Sequence, residues 1–479
     1  MKTNKVWIPG CLVLALLAAC AVNPVTGKRE LSLISEQQEL QLGAESDAQI
    51  RGQYGIYQDA ALESYITKLG RALVPHSHRP QLPYHFAVID DPVVNAFAAP
   101  GGYVYLTRGI LAMAGSEAEI VSVLGHELGH INARHSVRRM SQAVLTQIGL
   151  GLGSILSEDF AKVSGLAGVG AQLLFLKYSR DDERQADALG VQYARSAGYN
   201  PAGMVAFFES LERLGDLSGK GSLPGFLSTH PLTKERIQTT KAMLTADDAG
   251  RFENRDLYLK AVDNIVYGDD PRQGYVEANA FYHPDMAFTF SFPAGWKLQN
   301  TAAQVVLTSP QEDCAFWLQA EKSAEDLSAY ARKKLAGIEG GTLLQDQSFK
   351  INGLASYHQT IDVTGQGQQQ TEATRARLSY IRKADFIYTC GAAAALSTFS
   401  RRDPEFSRIV KSFETLRDRT KLDRRPKRLK IMKGDGRRTL EAIFQAEGVA
   451  KDLWPTLAVM NALPLNQTPA AGRPVKVVR

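Results

Sequence analysis

Two histidines, His126 and His130, stand four residues apart in SVLGHELGHINARH (122–135), with Glu127 directly after the first. On a helix, residues four apart share a face, so both imidazoles can aim a nitrogen at one point. Zinc accepts nitrogen donors in a tetrahedron. A carboxylate next to the first ligand can reach a water on the metal without ligating it, which is the logic of H-E-x-x-H hydrolysis. The alternative is a polar helix face, and the motif alone does not decide between them.

A third ligand would decide. A catalytic zinc takes three protein ligands and keeps one position for water. The metzincin spacing would need glycine at 133 and histidine at 136, but the chain has Ala133 and Ser136. His135 is one residue off and is expected to bond neighbouring groups. A glutamate from a later helix serves instead: SRDDERQAD supplies Glu183, with Asp187 one turn on and on the same face. Glu183 would complete a His2Glu set. Asp187 would hold a ligand histidine in its tautomer or act as a proton donor.

Other residues gather around this chemistry. His230, in THP before another helix, has three readings: an oxyanion donor, an occupant of the open metal position that substrate displaces, or a loop anchor. Arg236, six residues on, is a candidate oxyanion or structural support. In NAFAAPGGYVYLT, Asn95, Gly101, Gly102 and Tyr103 are candidates for substrate binding. The stretch 103–107 reads as an edge strand that an extended peptide could join, with Gly101 and Gly102 allowing close backbone approach.

The elements that must position these groups are legible in outline. Ser35 can cap a helix through SEQQELQLGAESDAQI, and a second helix is expected over 59–73. YHFAVID (84–90) alternates like a strand. Ser116 and Glu119 have capping-box spacing, and Ile120, Leu124, Leu128 and Ile131 mark the buried stripe of the helix that carries His126 and His130. The Gly-dotted apolar stretch 143–176 reads as a packed helical hairpin, each half being shorter than a membrane span.

The motifs NPVTG, NAFAAPGGYVYLTRGIL, HELGHINARH, YSRDDERQAD and STHPLTKER occur in this order between about residues 23 and 240. With them the chain resembles metallopeptidase family forty-eight, the gluzincin family of HtpX and the CAAX-prenyl endopeptidases. The resemblance implies one Zn(2+) per subunit held by His126, His130 and Glu183, with Glu127 catalytic, and it gives His230 a place in the site without fixing its role. It implies a zinc metalloendopeptidase of the periplasmic lipoprotein branch, acting on misfolded or unassembled envelope proteins. The rival expectation is a chaperone-like or wall-tethered binding scaffold with structural zinc.

At 479 residues the chain is too long for one ordinary domain. A hydrophobic content of 44% and a charged content of 22% describe a globular protein, and a net charge of +5 does not argue for nucleic acid. Residues 1–20 read as a signal peptide whose LAAC ending resembles the bacterial lipoprotein signal, with Cys20 acylated. The expected location is the periplasmic side of the outer membrane of a Gram-negative cell, held by a lipid anchor. Of four cysteines, Cys314 and Cys390 remain for a disulfide, or stand as two buried thiols.

The expected architecture is α+β and multidomain: a tether (21–34), then a mainly helical zincin-type peptidase domain with a small sheet (35–250). An α+β domain (274–416) follows and resembles PsbP-like domains. A basic linker (417–427) leads to a tail (428–479) that resembles a LysM module and offers contact with peptidoglycan. Protein or peptide substrates complete the expected partners.

Overall fold

The computed structural model describes residues 20–149, 177–218, 225–364 and 373–479. The signal segment before Cys20, most of the 143–176 hairpin and the Gln-rich turn at 365–372 lie outside the described residues. Two compact units divide the chain, one formed by residues up to Arg51, Gly55–Gly268 and Lys427–Arg479, the other by Asp269–Pro426 with Gly52–Tyr54.

In the first unit, β1 (Cys20–Val22) and β2 (Arg29–Leu31) form an antiparallel hairpin. The Asn23 side chain at its turn donates to the Ala133 carbonyl at 3.1 Å. Residues 20–31 are therefore seated on the core of this unit, where a tether over 21–34 was expected. Helix α1 (Glu36–Tyr54) starts at Ser35 through a full capping box, and α2 (Ala60–Leu73) is capped by Asp59. Three strands follow: β3 (His85–Ile89), β4 (Ala96–Ala99) and β5 (Tyr103–Thr107). Their order is β3-β5-β4, with β3 parallel and β4 antiparallel to β5.

The sheet leads through α3 (Arg108–Met113) into α4 (Glu117–Asn132), whose Ser116 cap accepts the Glu119 N–H as the sequence predicts. Every α4 residue except Glu119 is buried, because β4 and several helices cover it on all sides. Then come α5 (His135–Gly149), α6 (Arg180–Ser196), α7 (Ala202–Ser218), α8 (Gly225–Thr229), α9 (Lys234–Ala242) and α10 (Arg255–Val262). The first unit runs past the expected boundary at 250, since the Tyr258 hydroxyl donates to the Leu111 carbonyl at 2.6 Å and α10 buries Leu259 and Val262.

The second unit has a seven-stranded antiparallel sheet, a four-stranded sheet and its own aromatic core around Phe281, Phe288, Phe290 and Phe316, an α+β domain as expected. Cys314 and Cys390 are both free and buried there. Their strands are adjacent, but Cys314 pairs with Ala394 and Cys390 with Leu318. Four residues of extended chain separate the thiols by on the order of 13 Å, far beyond the reach of a disulfide. The disulfide reading is corrected to two separate thiols.

The tail has the expected strand–helix–helix–strand order. Leu429–Lys433 pairs antiparallel with Pro474–Val478, and helices Leu440–Ala446 and Trp454–Met460 lie between them. It is not a separate module. Leu440, Phe444, Leu457 and Val477 share one core with the helices of the first unit. Lys476, buried, donates to the carbonyls of Ala112, Met113 and Ala114, the first two at 2.8 and 3.0 Å. A lysine ammonium there satisfies acceptors that a helix end leaves free.

Candidate metal centre

Helix α4 carries His126, Glu127 and His130, each at most 1% exposed. Ionisable groups this deep need partners, and α6 brings them. Ser179 and Asp182 form a capping box that starts α6, so Glu183 falls in its first turn and Asp187 in the next. Small residues let the two helices touch. A Cβ on Gly125 would lie 3.1 Å from the Cα of Gly190, and one on Gly129 3.0 Å from the Cα of Ala186. The third contributor is the turn after α8, which carries His230, and Thr233 caps α9 so that Arg236 points back into the site.

The side chains converge. His126 Nε2 is 3.0 Å from His130 Nε2 and 3.3 Å from His230 Nδ1. Glu183 Oε1 is 3.0 Å from His230 Nδ1 and 3.5 Å from His130 Nε2. These four residues could hold one metal ion, their ligand atoms all lying within 4.8 Å of one another. A tetrahedron with zinc–ligand bonds of about 2.0–2.1 Å has edges of about 3.3 Å. The donor set and its spacing therefore fit zinc, and a cation among these lone pairs would satisfy them together.

Charge is arranged around this cluster. His126 Nδ1 lies 2.9 Å from Asp187 Oδ1. Arg236 binds both Asp187 oxygens, at 2.8 and 2.7 Å, and reaches Glu183 Oε2 at 2.7 Å. Burial works against ionisation of Glu183 and Asp187, yet His230 beside the first and Arg236 beside the second hold both below the usual carboxylate range. Burial pushes the Glu127 carboxyl up, opposed by His230 and His126. Among the described residues, both Glu127 oxygens lack a hydrogen-bond partner, as does His230 Nε2, which lies 3.7 Å from Glu127 Oε1.

Of the sequence candidates, His126, Glu127, His130, Glu183, Asp187, His230 and Arg236 meet here. Gly101, Gly102 and Tyr103 do not. A Cβ on Gly101 would meet the Glu39 carbonyl at 3.1 Å and one on Gly102 the Pro83 carbonyl at 2.5 Å, so these glycines make room for the chain's own backbone. The Tyr103 ring stacks on His85 at 4.5 Å. The strand it begins is central in its sheet, since β5 is paired on both sides, and this corrects the edge-strand reading. Asn95 precedes β4 and sits beside Gly225 at the start of α8, its side-chain oxygen buried without a partner among the described residues. Two residues escaped the sequence reading. Tyr178 stacks on His130 with ring centroids 3.8 Å apart, and Phe226 stacks on His230 at 4.6 Å. Tyr178 opens the YSRDDERQAD motif and Phe226 lies two residues before STHPLTKER, but nothing in their spacing marks them.

A His-Glu-x-x-His helix, a small sheet against it and a glutamate from a second helix together present the donor types of a His2Glu metal centre. Residues 60–244 match the model of Peptidase family M48. It is 33% identical over 223 residues to the beta-barrel assembly-enhancing protease of Escherichia coli (strain K12), covering 45% of this chain and 45% of that protein. It is 29% identical over 244 residues to the mitochondrial metalloendopeptidase OMA1 of Schizosaccharomyces pombe, covering 49% of this chain and 69% of that one. The chain spans about half the length of the bacterial relatives it matches. Among solved structures, cyanobacterial PsbP from Synechocystis sp. PCC 6803 aligns over 30% of this chain and 96% of its own, at 14% identity and a TM-score of 0.25. No helix among the described residues is long and apolar enough to cross a membrane.

Proposed function

We propose that this protein is a zinc-dependent metalloendopeptidase of the bacterial cell envelope that hydrolyses misfolded or unassembled envelope proteins. The observation that carries the reading is the meeting of His126, His130, Glu183 and His230 around one point, with the unpartnered carboxylate of Glu127 beside it. In this reading His126, His130 and Glu183 hold the ion. A bound zinc ion would supply Lewis acidity, which lowers the pKa of water and polarises a carbonyl.

The chain's own groups do the rest. Glu127 takes a proton from the attacking water and passes it to the leaving amine, a role that its burial and free lone pairs suit. Asp187, fixed by Arg236, holds the His126 ring through Nδ1. His230 takes the fourth position around the site, which supports a resting enzyme that substrate must open by displacing it. An extended substrate would join the edge of β4, which lies against α4 and is unpaired on its outer side among the described residues.

The envelope substrate class rests on the family resemblance and on relatives named as a beta-barrel assembly-enhancing protease. The lipid anchor at Cys20, a PsbP-like second domain and a LysM-like, glycan-contacting tail are part of the same proposal. They are supported by the LAAC signal, the antiparallel sheet of the second unit and the strand order of the tail. The test is metal analysis of the purified protein with and without chelator, beside casein cleavage. Glu127→Gln should keep zinc and fold while cleavage falls by about 10²–10⁴-fold. Full cleavage by the zinc-free protein would sink the proposal.

A further inference from the structure

His130 Nδ1 lies 2.9 Å from His135 Nδ1. The far nitrogen of His135, Nε2, lies 2.9 Å from Gln185 Oε1 on α6. His135 is fully buried, and Asp182 Oδ1 lies 3.6 Å from its Nε2. In an unbroken helix, residues five apart point about 140° away from each other at 3.6 residues per turn. Here the helix breaks. Ala133 ends α4, Arg134 takes a left-handed φ of 54°, and α5 begins at His135, so the ring swings back onto His130. Arg134 is held in that conformation by Glu39 Oε2 at 2.9 Å and by the Ile34 carbonyl at 2.9 Å.

The direction of this chain of hydrogen bonds follows from what His130 must offer. If His130 Nε2 presents a lone pair to a metal, its proton sits on Nδ1 and is donated to His135 Nδ1. That nitrogen must then be bare, so His135 carries its proton on Nε2 and donates it to Gln185 Oε1. The reverse order would put a proton on His130 Nε2, where it faces His126 Nε2 at 3.0 Å. The two ligand histidines are thus oriented differently: His126 by the Asp187 carboxylate, His130 by a neutral imidazole.

We propose that His135 is the positioning residue that sets the tautomer and orientation of His130 through a Gln185–His135–His130 relay. The inference rests on the zinc reading above and adds a residue to it. The experiment measures zinc affinity by competition with a chromophoric chelator, with the thermal melt of the apo protein alongside. His135→Leu should weaken zinc binding by about 10–100-fold with the apo melt unchanged. His135→Asn, whose Oδ1 can stand where Nδ1 stood and accept from His130, should recover most of that loss.

Should His135→Leu not fold, Gln185→Leu carries the test, because it strips the acceptor from the half-buried end of the relay and should weaken zinc binding in the same direction. Wild-type affinity in a folded His135→Leu protein, or in Gln185→Leu, would overturn the relay and leave the metal site standing. So would an Asn variant no better than Leu. A wild-type protein that binds no zinc would sink the metal reading instead, and this inference with it.

Discussion

Gly125 on the histidine helix and Gly190 on the glutamate helix face each other so closely that a Cβ on the first would stand 3.1 Å from the Cα of the second. A Cβ on Gly190 would in turn meet the His126 backbone nitrogen at 3.0 Å. The distance between His126 and Glu183 is set by this crossing. Gly125→Val should push α4 and α6 apart and cost more than tenfold in zinc affinity, read by chelator competition. Unchanged affinity would mean that the helices adjust without moving the ligands.

Removing His230 tests whether the site rests closed. Its Nδ1 takes the fourth corner of the cluster, and Phe226 and Tyr178 sandwich its ring. His230→Ala is expected to retain zinc and to raise casein cleavage several-fold. Cleavage that instead falls away, with zinc retained, would assign His230 to oxyanion stabilisation.

The C-terminal strand should be part of the peptidase's stability. Lys476→Met leaves three buried carbonyls short of a donor. Unpaired buried polar groups cost about 1–3 kcal/mol each, partly relieved by relaxation. A lowered melting temperature of the peptidase unit is the expected outcome, and a chain ending at Pro426 should lose both fold and activity. An independent tail would leave both intact.

Acid should weaken the second unit through His283. Its Nδ1 accepts the Met286 N–H at 3.3 Å, and burial, with Lys383 nearby, pulls its pKa down to about 4. In the unfolded chain it returns to about 6.5. Between these values the unfolded chain holds the extra proton, so stability falls as pH drops from 6.5 to 4 and levels off below. The loss is about 1–3 kcal/mol, allowing for solvent at the exposed edge of the ring. Urea midpoints of wild type and His283→Phe should differ in slope across that window; parallel curves would remove His283 as the cause.

Thiol alkylation under denaturing, non-reducing conditions should label both Cys314 and Cys390. Burial pushes the Cys390 thiol up to about 12, which keeps it inert in the folded chain. A single labelled thiol, or none, would contradict the strand register that separates them.

What the amino-acid sequence determined by itself is the chemistry that lies within single elements. His126 and His130 share a face because a helix repeats every 3.6 residues, and the same periodicity puts Glu183 and Asp187 on one side of theirs. The caps at Ser35 and Ser116 were equally local: Ser35 forms its full box, while Ser116 accepts the Glu119 N–H and the Glu119 side chain takes the Gly115 N–H in place of the Ser116 N–H.

Packing decided everything that depends on which distant surfaces meet. It made β4 rather than β5 the outer strand, placed Gly101 and Gly102 against the chain's own carbonyls, and drew the tail into the peptidase core. It also set Cys314 and Cys390 out of register and turned His135 back onto His130 at a break in the helix. Spacing along a chain fixes directions only inside one regular element. Across a turn or between elements, orientation follows from burial and close approach, which no one-dimensional pattern carries.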